Sequence, residues 1–273
     1  MRPWLRDPLY RRIAPKSLRP LPRPASFFPA RIRQPHYVRL QGSSPWRPGI
    51  RDIRENQAAV DSLRYTGALA AACLAHAASL LAPGVTTQAV EQQVRRWAER
   101  RNVYPSPLGY NGFPAALCTS INNVVAHGIP DETALVNGDI VNLDITLYGS
   151  DPAADTAVHA DTSATFSVGQ CSPHSARLMA AAERALAGAI RVCGPGVPYR
   201  EIGRAVDKVA SDAGFETLPE LCGHGIGEEF HQFPVVAHTF EPDNQETMQP
   251  GHVFTIEPQG PRCNPPSDVV GVL

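Results

Sequence analysis

Two acidic residues stand where an uncompensated charge would be costly. Asp144 lies inside an apolar run with strand character, and Asp161 directly precedes a second such run. A buried carboxylate in such a place needs a cation or hydrogen bonds. If the two runs form adjacent antiparallel strands, the carboxylates converge, and a pair of divalent metal ions is a common way to relieve their repulsion. The alternative is that either aspartate caps a turn.

A second group of polar residues follows downstream. His224 and His231 lie seven residues apart in the glycine-rich segment CGHGIGEEFHQFP. Glycines beside His224 allow close approach of the backbone, so the two histidines could reach one site, although a lone histidine is more often structural or exposed. Glu257 ends the apolar run VFTIE, just before Pro258.

The candidate ligands combine oxygen and nitrogen donors. Such a mixture suits Mn, Co, Fe or Zn better than Ca or Mg. The residue types therefore predict a transition-metal site with these ligands: Asp144, Asp161, His224 and Glu257.

These residues must be positioned by helices and strands whose hydrophobic spacing is visible in the sequence. The spacing predicts helices over residues 55–81, 87–101, 172–193 and 198–213, and strands over 117–125, 140–147 and 158–168. Residues 36–54, with turn residues at 42, 45 and 48, are expected to form an extended linker.

The helix pairs follow a repeated layout. Pro-Gly-Val at residues 83–85 recurs at residues 195–197, and each copy lies between two predicted helices. This indicates two halves built alike, so that a site on a pseudo-twofold axis could draw ligands from both. The alternative is that Pro-Gly-Val simply ends two unrelated helices.

Charge separates the first 50 residues from the rest. They contain eleven Lys or Arg, one acid and ten prolines, whereas residues 51–273 contain 14 basic and 25 acidic residues. Residues 1–54 are predicted to be a basic leader and linker, typical of an organelle transit peptide. A basic arm that contacts RNA or a ribosome is the alternative. No apolar run approaches the length of about 20 residues that a membrane crossing needs.

The combined motifs resemble a known family. The segments YPSPLGYNGFP, CTSINNVVAHGIPD, GDIVNLDIT, DTSATFSVG, GHGIGEEFH and FTIEP are similar to those of type 1 methionine aminopeptidases, especially the mitochondrial form. The resemblance covers residues 55–258. It implies an α+β pita-bread fold, with pseudo-twofold duplicated halves around a curved antiparallel sheet, and two divalent metal ions (Co, Mn, Fe or Zn).

The resemblance also implies roles for individual residues. Asp144 would bind one metal, Asp161 would bridge both, and His224 and Glu257 would bind the other. His127 would face the substrate amine, His231 would stabilise the carbonyl oxygen, and Glu257 would transfer protons. The methionine side chain would be held by Tyr110, Phe113, Cys118 and Phe230, and both histidines would also count among the substrate-binding residues.

Two departures from the family pattern lead to further expectations. The two aspartates are 17 residues apart instead of 11, which predicts a longer loop over residues 149–157; an even-numbered insertion keeps both side chains on one face. Residues 259–273 do not match the family's last strand and its bridging glutamate, and Asp268 is the one carboxylate side chain there. The catalytic domain, residues 55–273, is therefore expected to lack that strand and to have weakened activity.

The sequence thus predicts a metallo-exopeptidase that removes the initiator methionine from nascent polypeptides in the mitochondrion, with ribosome association and without membrane or specific nucleic-acid partners. Alternatives are a non-catalytic pita-bread protein that binds peptides or ribosomes, an Xaa-Pro aminopeptidase, and a cytoplasmic location. The six cysteines lack a CxxC pair and are expected to be free thiols.

Overall fold

Four long helices occur in two pairs, within two residues of the predicted bounds. A computed structural model describes residues 11, 13, 28–40, 49–54 and 56–259. In it, α1 is short (His36–Leu40), and the pairs are α2 (Gln57–Ser79) with α3 (Thr87–Arg100) and α4 (Pro173–Val192) with α5 (Arg200–Asp212). Within the described residues, every helix falls short of the length or the apolar character that a membrane crossing requires.

The strands pair antiparallel throughout the described residues. They are β1 (Tyr104–Pro105), β2 (Cys118–Ile121), β3 (Ile140–Gly149), β4 (Val158–Ser167), β5 (Cys222–Gly225) and β6 (Gln232–Ala237). Strand β3 is central: β1 and β2 pair with different parts of one edge, and β4 pairs with the other edge. Strands β5 and β6 form a separate two-stranded sheet.

The chain divides into two units. Of the described residues, the first unit holds 11, 13, 28–40 and 61–172, and the second holds 49–54, 56–60 and 173–259. In the first unit, β3 alternates between faces. Val141, Leu143, Ile145 and Leu147 are buried in one hydrophobic core with residues of α2 and α3. Because strand side chains alternate, the even-numbered residues of β3, including Asp144, lie on the opposite face.

The second unit has a smaller core built on alanines. Ala185 and Ala189 of α4 pack with Ile202 and Val206 of α5 and with Val236 of β6. The small side chains recur at helical spacing, which lets the paired helix approach closely. This core holds β6, and β6 pairs with β5, the strand that carries His224.

The repeated Pro-Gly-Val sequence forms the same structure in each unit. In the first, the Gly84 N–H donates to the Leu135 carbonyl, and the Leu135 N–H donates back to Val85, both at 2.8 Å. In the second, Gly196 donates to Met248 at 2.7 Å, and Met248 donates back to Val197 at 2.8 Å. Both glycines have positive φ. The prediction of two similarly built halves is confirmed within each unit.

The N-terminal residues depart from the prediction of an extended linker. Residues 36–40 are helical, and Phe28, Ile32, Tyr37 and Val38 are buried in the core of the first unit. The Tyr37 hydroxyl donates to the Ser106 carbonyl at 2.5 Å. A helix of five residues is too short to show periodicity, and the surrounding Arg and Pro mask its apolar side chains. The packed fold therefore begins well before residue 55.

Candidate metal centre

Strands β3 and β4 place Asp144 and Asp161 on the same face. In the register, Asp144 pairs with Ser163, and Thr146, two residues after Asp144 on β3, pairs with Asp161. The two aspartates are therefore diagonal neighbours, a relation with Cα atoms about 7–8 Å apart. The Thr146 hydroxyl donates to Asp161 Oδ1 at 2.8 Å, which orients that carboxylate. The register thus places both side chains on one face of the hairpin, as predicted.

The longer hairpin loop is also observed. Pairing runs without interruption from Ile140 opposite Ser167 to Gly149 opposite Val158, so the extra residues lie in the loop over 150–157. They leave the register around Asp144 unchanged.

Cys118 is the direct neighbour of Asp144 on the other edge of β3. The cysteine is buried, and burial raises the pKa of its thiol well above the usual value; the charges of Asp144 and Asp161 raise it further. The thiol is therefore protonated at neutral pH and presents a compact, weakly polar surface beside the two carboxylates.

His127 is exposed and lies in the loop after β2, with a positive φ of 53°. The loop is held against β2 at Gly128, which accepts a hydrogen bond from the Thr119 N–H at 2.7 Å. A Cβ atom on Gly128 would lie 2.1 Å from the Thr119 carbonyl oxygen, so the close approach requires glycine. This contact fixes the position from which His127 projects.

Tyr110 and Phe113 lie on the segment that leads to β2. Tyr110 begins a short 3-10 helix, Tyr110–Gly112, and Phe113 accepts a hydrogen bond from the Gly109 N–H at 2.8 Å. The Tyr110 ring packs edge to face on Tyr37, with centroids 5.1 Å apart. Both predicted pocket residues are half-buried.

In the second unit, His224 and Glu257 face each other. His224 is buried on β5, and its Nε2 lies 3.5 Å from Glu257 Oε1. The other ring nitrogen, Nδ1, lies 3.0 Å from the Gly225 carbonyl oxygen, an acceptor only, so Nδ1 carries a proton. Nε2 is therefore the ring nitrogen that faces the carboxylate, and when unprotonated it offers a lone pair there. Two electron-pair donors facing each other in this way suit a shared cation, so these residues fit a metal ion.

Thr255 connects His224 with Glu257. Its hydroxyl oxygen accepts from the His224 N–H at 2.9 Å and donates to Glu257 Oε1 at 2.5 Å, and its own N–H donates to the His224 carbonyl at 2.8 Å. A Cβ atom on Gly223 would lie 2.3 Å from the Thr255 carbonyl oxygen. Glycine before His224 therefore lets the segment that carries Glu257 lie directly against β5.

His231 and Phe230 lie beside His224. The His231 ring centroid is 4.1 Å from that of His224 and 4.3 Å from that of Phe230. The prediction that two histidines seven residues apart reach one place is confirmed. Phe230 is buried, so it gives this group an apolar side.

The sequence reasoning missed three residues that hold candidate ligands. Thr146 and Thr255 lie two residues from Asp144 and Glu257, and the period of two along a strand could have identified them as same-face neighbours. No sequence pattern pointed to His238, because it lies after β6 and belongs to none of the motifs described above. It accepts a hydrogen bond from the Glu257 N–H at 2.9 Å.

Among the described residues, the first unit thus contains two candidate carboxylate ligands, and the second contains a candidate imidazole and a candidate carboxylate. The expected lack of a last strand and of its bridging glutamate concerns the segment beyond residue 259, including Asp268, which lies outside the described residues. The five cysteines that the structure describes are free thiols.

Comparisons with known proteins indicate a family of metallopeptidases. Residues 61–272 match Metallopeptidase family M24. Over 232 residues the chain is 38% identical to "Methionine aminopeptidase 1D, chloroplastic/mitochondrial" of Arabidopsis thaliana, covering 84% of this chain and 63% of that relative. It is 40% identical over 236 residues to "Methionine aminopeptidase 1D, mitochondrial" of Danio rerio, covering 86% of this chain and 67% of the relative. The chain thus spans just under two thirds of the plant relative's length.

Solved structures show the same fold. A methionine aminopeptidase from Rickettsia prowazekii superposes with a TM-score of 0.73 at 33% identity, covering 79% of this chain and 84% of that chain. A prolidase from Pyrococcus furiosus, at 18% identity, superposes with a TM-score of 0.63, covers 77% of this chain and 57% of that chain, and bears on the fold alone. The α+β pita-bread fold is confirmed, and so is the resemblance to type 1 methionine aminopeptidases. The chain belongs to metallopeptidase family M24, whose members are metal-dependent.

Proposed function

We propose that this chain removes the initiator methionine from nascent polypeptides as a metal-dependent aminopeptidase. The observation that carries the metal dependence is the His224–Glu257 pair, in which the ring nitrogen Nε2 and a carboxylate oxygen face each other at 3.5 Å. The relatives named methionine aminopeptidases support the choice of substrate.

The proposed centre holds two divalent metal ions of the Mn, Co, Fe or Zn type. Asp144, Asp161, His224 and Glu257 are the proposed ligands, with Asp161 as the bridging one. Bound metal would lower the pKa of water and polarise the scissile carbonyl. Thr146 and Thr255 would orient the carboxylates that they contact.

The remaining residues would bind and orient the substrate. Exposed His127 would contact the N-terminal amine, and His231 would donate a hydrogen bond to the scissile carbonyl oxygen as charge develops there. Glu257 would accept a proton and deliver it to the leaving amine. The neutral Cys118 thiol and the Tyr110, Phe113 and Phe230 rings would hold the methionine side chain, because all four are apolar or weakly polar.

The test is hydrolysis of Met-Ala-Ser by protein loaded with Mn²⁺ or Co²⁺. We expect release of methionine by the wild type and loss of most of that activity in Asp161→Asn. Asp155→Asn is the matched control, since Asp155 lies in the same hairpin but is fully exposed in the loop. Hydrolysis of Xaa-Pro peptides alone would replace the proposal with an Xaa-Pro aminopeptidase, and binding of Met-Ala-Ser without turnover would replace it with a binding protein.

We further propose a mitochondrial location and contact with the ribosome. The arginine-rich first 50 residues and the mitochondrial names of the relatives support the location. Since Phe28 and Tyr37 are buried in the core, processing is proposed to occur before residue 28. Imaging residues 1–54 fused to a fluorescent protein tests the location, and a cytosolic signal would contradict it. Salt-sensitive co-sedimentation with mitochondrial ribosomes tests the contact.

A further inference from the structure

His238 directly follows β6 and is almost completely buried, with 1% of its surface exposed. Its Nε2 accepts a hydrogen bond from the backbone N–H of Glu257 at 2.9 Å. Because Nε2 accepts, the proton of the neutral ring is on Nδ1. Burial lowers the pKa of His238 from 6.5 to about 4, with the Leu221 backbone opposing, so the ring is neutral at physiological pH.

The hydrogen bond stands where strand pairing would otherwise continue. Phe254 pairs with Gly225, and the Thr255 N–H donates to the His224 carbonyl. Extending this antiparallel register places Glu257 opposite Cys222, whose partner on β6 is Ala237. The Glu257 N–H donates instead to the side chain of His238, the residue after Ala237. The imidazole therefore takes the place of a backbone carbonyl.

Both ring nitrogens of His238 face backbone groups. Nδ1 is buried and faces the Leu221 backbone, and Nε2 accepts from the Glu257 N–H. An apolar side chain of similar size could fill the same space. What an apolar residue would lose is the acceptor for Glu257.

We propose that His238 is a positioning residue, which fixes the backbone at Glu257 so that its carboxylate faces His224 Nε2. Thr255 orients the same carboxylate through its side-chain oxygen, and His238 fixes the main chain that carries it. Hydrogen bonds that orient metal ligands typically change metal affinity by about 10–100-fold when removed. The proposal rests on the proposed role of Glu257 as a metal ligand.

The experiment compares His238→Leu with His238→Gln. Glutamine places an amide oxygen near the position of Nε2 and keeps an acceptor, whereas leucine removes it. We expect His238→Leu to bind Mn²⁺ about 10-fold or more weakly by calorimetry, and to lose kcat with little change in KM for Met-Ala-Ser. His238→Gln should restore most of the affinity. Amide hydrogen exchange at Glu257, measured without metal, should become faster in His238→Leu and remain slow in His238→Gln.

Thermal unfolding of each variant separates positioning from stability. If His238→Leu fails to fold, His238→Asn takes its place, because its shorter amide does not reach the Glu257 N–H. Equal Mn²⁺ affinity and equal Glu257 exchange in the leucine (or asparagine) and glutamine variants would overturn the proposal. Failure of the wild type to bind Mn²⁺ or to cleave Met-Ala-Ser would instead overturn the proposed function, and the exchange of the Glu257 amide would still decide whether His238 holds it.

Discussion

Replacement of Thr255 by valine tests the connection between His224 and Glu257 most directly. The two side chains have nearly the same shape, but valine lacks the oxygen that accepts from the His224 N–H at 2.9 Å and donates to Glu257 Oε1 at 2.5 Å. The backbone bond from the Thr255 N–H to the His224 carbonyl does not depend on the side chain. The substitution therefore removes two hydrogen bonds and leaves packing and pairing in place.

The expected loss follows from the burial of each partner. The His224 N–H would be left without an acceptor in a buried strand, which costs about 1–3 kcal/mol. The bond to Glu257 is charge-assisted, but the glutamate side chain is 28% exposed, so water would replace part of it and the loss is about 1 kcal/mol. The free energy of unfolding should fall by about 2–4 kcal/mol, which lowers Tm by roughly 4–16 °C.

Thermal and urea unfolding of the metal-free protein measure this loss. Thr255→Ser retains the hydroxyl and should lose clearly less stability. Thr247→Val serves as a surface control, since that hydroxyl accepts a hydrogen bond from the exposed Gln249 side chain, and it should stay within about 0.5 kcal/mol of the wild type. If Thr255→Val and Thr255→Ser unfold at the same point as the wild type, the threonine does not hold this pair together.

Three further outcomes are expected. Asp144→Asn should leave the metal-free Tm unchanged or raise it, because the repulsion from Asp161 on the same face is relieved, and it should abolish the stabilisation by Mn²⁺ in a thermal-shift assay. Gly128→Ala should cost about 1–3 kcal/mol in urea unfolding, since its Cβ would lie 2.1 Å from the Thr119 carbonyl oxygen; a wild-type midpoint would refute the close contact. Burial raises the pKa of Cys73 to about 12 from 9 in the folded protein. Between these pH values the folded thiol keeps its proton while the unfolded thiol loses it, so the free energy of unfolding falls as pH rises above 9. Peptide mapping after alkylation at pH 8 should find Cys73 modified only in unfolded protein.

The hydrophobic pattern was sufficient to predict the helices, the hairpin and the shared face of its two aspartates. Asp144 and Asp161 could be placed on that face because the period of two along a strand survives an even-numbered insertion. The repeat of Pro-Gly-Val likewise identified two equivalent turns, since the same residues make the same backbone bonds in each unit.

Residues whose roles depend on tertiary contacts could not be predicted. Phe28 and Tyr37 belong to a basic, proline-rich segment, and their burial depends on partners near residues 104–110. His238 lies 19 residues from Glu257, and the bond that joins them depends on where one strand ends relative to another. Amino-acid composition and residue spacing do not predict either of these tertiary contacts.

The loop over residues 150–157 should tolerate an inserted sequence. It begins after Gly149, five residues beyond Asp144, which is about 17 Å along an extended strand. Pro152 and Ala153 are exposed there, and the ten residue pairs of the hairpin close before the loop is reached. An epitope or a fluorescent label inserted after Ala153 should thus report on the protein in cells without disturbing the carboxylates, and the hairpin serves as a rigid spacer between label and chemistry.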